Sequence, residues 1–180
     1  MASPPTGGKE GSPVGRIMGR EYWGLAALAL ASILLVTMFG RTNKPRESLF
    51  LFVMGQTVSW PGTIILAFIG SIEAPVRLFP KATDSNFALA FIFLPAAYVA
   101  YYWHYPRNKS RILQIAYTLA VTGGSALAHV AVQKYTDLLV YIDFTGYRLW
   151  LINIISYYAG RIYCDWFFSQ VAKARGRKPR

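Results

Sequence analysis

An all-α integral membrane bundle of about five transmembrane helices is the fold class this sequence predicts. Three observations carry it. Of 180 residues, 54% are hydrophobic and only 15% charged, whereas ordinary globular domains hold about a quarter charged residues. The apolar residues gather in blocks close to the ~20 residues that a helix needs to cross hydrocarbon. The formal charge of +11, from 19 Lys and Arg against 8 Asp and Glu, lies between and after those blocks, the placement expected beside anionic headgroups. In a soluble chain that balance would suggest nucleic acid. Here it points to an anionic bilayer surface instead.

The elements follow in chain order. Residues 1–20 are rich in Pro, Gly and Ser and lack hydrophobic periodicity, the composition of a disordered tail. The first apolar block is Tyr22 to Phe39. Basic residues precede it and "ALA" at Ala29 to Ala31 resembles a signal-peptide cleavage site. The apolar run continues through that site to Phe39, so an uncleaved membrane helix is expected. The second block runs from about Leu49 to Ile72 and contains Pro61, which lacks an N–H and should kink the helix. The third, about Phe87 to Trp103, follows "TDSN", where Asp84, Ser85 or Asn86 can cap it. It is short, and Pro95 interrupts it. The fourth is about Ile112 to Val132 and the fifth about Trp150 to Phe168. The segment Lys134 to Arg148 is too short and too charged to span, and reads as an interfacial loop or short hairpin. Residues 21–170 thus form the membrane domain and residues 171–180 a basic tail.

Five spans place the termini on opposite sides, and Lys and Arg near the helix ends decide which way round. Lys9, Arg16, Arg20, Arg77, Lys81, Lys134 and Arg148 fall on one side. Arg41, Lys44, Arg46, Arg107, Lys109, Arg111, Lys173, Arg175, Arg177, Lys178 and Arg180 fall on the other. The larger set predicts a cytoplasmic C-terminus and an external N-terminus in a bacterial cell membrane.

Polar residues inside apolar blocks are the candidate sites. Arg161 and Asp165, in "YYAGRIYCDWFF", are four residues apart and share a helix face. A rise of about 1.5 Å per residue places Arg161 about 10 Å below the boundary near Phe168. Two readings follow: a snorkelling interfacial pair beside the aromatic belt of Tyr163 and Trp166, or a polar pocket facing the bundle interior. Gln56 lies at a similar depth on the second helix, near Thr57, Ser59 and Trp60. It can join Arg161 and Asp165 in one ligand-contacting layer, or act as interhelical glue. Glu73, Arg77 and His129 form a second candidate set, on the outer side. They read either as a proton-sensitive or solute-binding cluster or, for His129, as a packing residue. The pairs Gly124 and Ala128, Ala27 and Ala31, and Ser156 and Gly160 have the small-residue spacing of close helix packing.

Several chemistries find no support. No HExxH, P-loop, Ser/His/Asp constellation or strand-linked GxGxxG is present. Two histidines and the single Cys164 do not build a zinc site, and one cysteine makes no disulfide. No cofactor is expected.

Taken in order, "KPRES" with Gln56 and Trp60, "PVRLFPKATDSNF", "YPRNKS" and "YCDWFF" resemble a family of small, uncharacterised multi-pass membrane proteins of spore-forming bacteria. The resemblance covers roughly residues 40–170 and implies architecture and location, with no mechanism attached. The functional expectation is a non-enzymatic membrane component that binds a membrane protein partner or serves structurally. The alternative is a small channel or carrier for a solute or lipid, which would need a hydrated path lined by Gln56, Arg161 and Asp165.

Overall fold

The computed structural model describes residues 13–40, 43–75, 87–174 and 176. The chain is all-helical, with five α-helices: α1 Pro13–Phe39, α2 Pro45–Phe68, α3 Leu94–His104, α4 Arg111–Tyr135 and α5 Gly146–Ala174. A π-helical segment, Ala88–Phe93, leads into α3. The only strands among the described residues are β1, Ile72–Glu73, and β2, Val140–Tyr141, paired antiparallel with Ile72 opposite Tyr141. By length and composition, α2 and α4 are each able to cross a membrane.

Each apolar block became a helix, with shifted ends. Helix α1 begins at Pro13, inside the segment whose composition suggested a disordered tail. Proline suits a first turn because its missing N–H would be unpaired there anyway. Helix α2 likewise starts on a proline, Pro45, and continues through Pro61 to Phe68. Helix α4 is capped by Ser110, whose hydroxyl accepts from the Leu113 N–H. The proposed cap at Asp84, Ser85 or Asn86 lies outside the described residues. The segment 134–148 does not fold on itself. Its β2 pairs with β1, and Leu138 and Leu139 are buried beneath it.

Helix α3 is the centre of the bundle and touches α1, α2, α4 and α5. Leu94 through Val99 are all buried. The core has two parts. One gathers Leu28, Ile72, Leu89, Leu138 and Leu139 at the strand end. The other gathers Leu51, Tyr98, Tyr101, Tyr102, Tyr157 and Cys164 toward the opposite end. There the Trp103 Nε1 donates to Ser48 Oγ at 3.0 Å, and the Phe50 and Phe167 rings stack at 4.5 Å. The start of α2 therefore meets the ends of α3 and α5.

The outer faces are apolar. Ile33 and Met38 on α1, Ile65 and Phe68 on α2, Ile112 and Ile115 on α4, and Ile155 and Trp166 on α5 are exposed. Exposed apolar faces of this kind mark contact with another protein or with a membrane.

The bundle's packing depends on Gly160, which the spacing rule singled out, and on Gly55, which it did not. Gly124 is exposed and a Cβ there would meet nothing within 4 Å, so the Gly124 and Ala128 pair is no helix contact on its glycine side. At Gly160 a Cβ would lie 2.9 Å from the Tyr98 hydroxyl, and at Gly55 it would lie 2.9 Å from the Pro95 Cα. These two glycines let α5 and α2 approach α3.

Candidate functional site

Pro95 explains two polar residues of α2. A proline leaves the carbonyl four residues earlier without its helical donor. In the π register, five residues earlier, the same is true. Those two carbonyls belong to Phe91 and Ala90. Gln56 Nε2 donates to the Phe91 carbonyl at 3.1 Å, and Ser59 Oγ donates to the Ala90 carbonyl at 2.7 Å. Gln56 is thus committed to repairing the break in the facing helix. The expected layer of Gln56, Arg161 and Asp165 does not form, because the Gln56 amide turns to the Phe91 carbonyl of the facing helix. Trp60 sits beside it, its ring edge-on to Phe91 at 5.6 Å, and takes no part in the charged site.

This account has a direct test. Gln56→Leu should cost about 1–3 kcal/mol, the price of an unsatisfied buried acceptor. Pro95→Ala supplies an N–H, so the double variant should regain much of that loss. Thermal stability of the four proteins in a double-mutant cycle reads the coupling. Strict additivity would refute the repair role.

Asp165 is the hub of a junction at the end where α3 and α5 meet. Tyr102 Oη donates to Oδ1 at 2.7 Å, Arg107 Nη2 to Oδ1 at 3.0 Å and Arg161 Nη1 to Oδ2 at 3.2 Å. Arg161 is only 14% exposed, with Asp165 at 35%. The Arg161 guanidinium lies 4.1 Å from the Tyr105 ring centre and 5.0 Å from that of Tyr158, and Arg107 lies 4.5 Å from the Tyr102 ring. Stacking on tyrosine faces offsets the lost hydration of these cations. The pair is graded in exposure, with Arg161 facing the bundle and Asp165 partly open. The spacing of four found the partner on the same helix. It missed Tyr102 and Arg107, which come from α3 and the loop after it.

At the strand end, Glu73 and His129 line the same small chamber of about 20 Å³. Glu73 is exposed on β1, whereas His129 is 1% exposed on α4. Neither ring nitrogen of His129 has a hydrogen-bond partner among the described residues, so no pairing with Glu73 forms. Arg77, the third member of that expected cluster, lies outside the described residues.

The largest change from the sequence reading is a cleft of about 270 Å³ between α2 and α5. Its rim carries the exposed Val58, Ile65 and Ile152, and its inner wall the buried Leu94, Tyr98 and Tyr157. His129 also reaches it, and so does Asn153, 6% exposed, whose Nδ2 lacks a partner among the described residues. Ser59, Thr63 and Ser156 add hydroxyls. Asn153, Ser156 and Gly160 follow one another at steps of three and four on α5, a stripe of polar and small residues that spacing alone could have revealed. Among the described residues, no Lys, Arg, Asp or Glu lines the cleft. Among the described residues no three His, Cys, Asp or Glu gather as a metal would require.

Compared with protein-family models, curated proteins and solved structures, the chain matches none.

Proposed function

We propose that this protein is a five-span integral membrane protein of the bacterial cell membrane, N-terminus outside and C-terminus cytoplasmic, that holds a small amphiphile in the cleft between α2 and α5. It belongs to the carrier or lipid-binding class and performs no chemistry on its ligand. The observation that carries the reading is the cleft itself, with two buried, unpaired polar side chains at its inner wall and exposed hydrocarbon at its rim. A buried polar group without a partner costs a few kcal/mol. Such groups in a concave, mostly apolar site are what a ligand's polar atoms satisfy. A structural helper needs only a closed core, so the cleft favours ligand binding over the scaffold reading. His129 holds no hydrogen bond to a hydroxyl, and an activated nucleophile would need one. The apolar outer faces support the bilayer setting, as does the grouping of Lys44, Arg107 and the end of α5 at one pole. The resemblance to small multi-pass proteins of spore-forming bacteria agrees with it.

Gly62 offers the test. It lines the cleft, and a Cβ there would meet nothing within 4 Å. Gly62→Trp should fill the space while leaving the fold intact. A hydrocarbon-chain probe bearing a diazirine, photolysed with the protein in nanodiscs, should label residues near Ile65, Ile152 and Asn153 in the wild type and not in Gly62→Trp. Labelling spread evenly over the outer faces, and unchanged by the substitution, would sink the cleft reading. Reporter fusions in each loop check the orientation: an external signal from the loop holding Arg107 would reverse it.

A further inference from the structure

We infer that the cleft selects an uncharged, single-chain amphiphile with a hydroxyl head, of the class of long-chain alcohols and monoacylglycerols. The inference rests on the cleft reading above and goes on to the chemistry of what occupies it. The hydrogen-bond inventory of the wall decides the head. Ser59 spends its hydrogen on the Ala90 carbonyl, and Thr63 spends its own on the Ser59 carbonyl at 2.7 Å. Tyr157 donates to the Leu94 carbonyl at 3.4 Å, and Tyr98 Oη sits 3.5 Å from Cys164 Sγ. Among the described residues, the groups left over are the Asn153 Nδ2, which donates, the Ser156 hydroxyl, which can donate or accept, and the His129 ring. A neutral imidazole has one donor and one acceptor nitrogen. A hydroxyl matches this set: it accepts from Asn153, and its hydrogen and second lone pair serve His129 in either tautomer.

Charge decides against the ionic alternatives. With no Lys, Arg, Asp or Glu among the described residues of the lining, a carboxylate or ammonium head would meet no counter-ion there. An ion buried so costs far more than a neutral hydrogen-bonding group. Glu73 lines the separate 20 Å³ chamber that His129 also borders. Size decides the chain number. At about 270 Å³ the cleft is at or just below the low end of the ~300–1,000 Å³ of small-ligand sites. It takes a head and the first part of one chain. The remainder passes the rim at Val58, Ile65 and Ile152 into the bilayer.

The experiment is competition against the diazirine-bearing chain probe with the head changed to a primary alcohol. The full-length protein is held in nanodiscs, with unlabelled hexadecanol, palmitate and hexadecylamine as competitors. Hexadecanol should displace the probe at concentrations at least about tenfold below the other two, the factor that about 1.4 kcal/mol supplies. Asn153→Leu should erase that preference, and so should His129→Leu, whereas His129→Gln, which keeps a donor and an acceptor, should retain it. Thermal melting of each variant separates loss of fold from loss of selectivity. If palmitate or hexadecylamine competes as well as hexadecanol while Gly62→Trp still blocks labelling, the hydroxyl inference falls and the cleft stands. If Gly62→Trp does not block labelling, both fall together.

Discussion

Asp165→Asn should lower stability by about 2–4 kcal/mol, between the ~1 kcal/mol or less of an exposed ion pair and the ~3–5 kcal/mol of a broken buried one. The intermediate value follows from the gradient of exposure across the junction. Arg161, at 14% exposed, loses its counter-ion in a nearly dry place, while Asp165 and Arg107, at 35% and 37%, keep contact with solvent. The amide can still accept from Tyr102, so the loss is chiefly the uncompensated charge of Arg161. Removing that charge as well, in Arg161→Leu with Asp165→Leu, should recover most of the stability. Recovery stays incomplete because Tyr102 Oη loses its acceptor. Thermal melting and folded yield in detergent compare the three proteins. A variant Asp165→Asn as stable as wild type would show that Arg161 escapes to the interface. Gln56→Leu should add independently to either change, since Gln56 bonds to the Phe91 carbonyl and not to this junction.

Gly55→Leu should be of similar or greater severity, about 3 kcal/mol. Its new Cβ alone would lie 2.9 Å from the Pro95 Cα and 3.2 Å from the Pro95 Cβ. Backbone cannot swing aside as a flexible side chain can, so α2 must move off α3, the costly end of overpacking. That movement would also pull Gln56 and Ser59 from the carbonyls they serve, adding buried unsatisfied groups to the steric cost. Gly124→Ala is the control. Its Cβ meets nothing, and replacing a mid-helix glycine should stabilise by about 0.5–1 kcal/mol. Melting temperatures that fall equally for both variants would contradict this assignment of packing glycines.

The amino-acid sequence by itself determined the helices, their order, and the depth of each polar residue along its helix. Blocks of apolar residues bounded by charge have a length, and a rise per residue converts sequence distance into height. Arg161 found Asp165 because a spacing of four is a property of one helix. Rotation was another matter. In a soluble helix the polar face reports which side looks outward. Spacing puts Asn153, Ser156 and Gly160 on one face of α5, but it does not say which neighbouring helix that face meets. Only the tertiary structure decided that Gln56 turns to the break at Pro95, that Tyr102 and Arg107 close on Asp165 from elsewhere in the chain, and that His129 and Asn153 meet at one cleft. The approach of α2 and α5 to α3 is set at Gly55 and Gly160, a geometric fit between surfaces that no single helix carries in its own sequence.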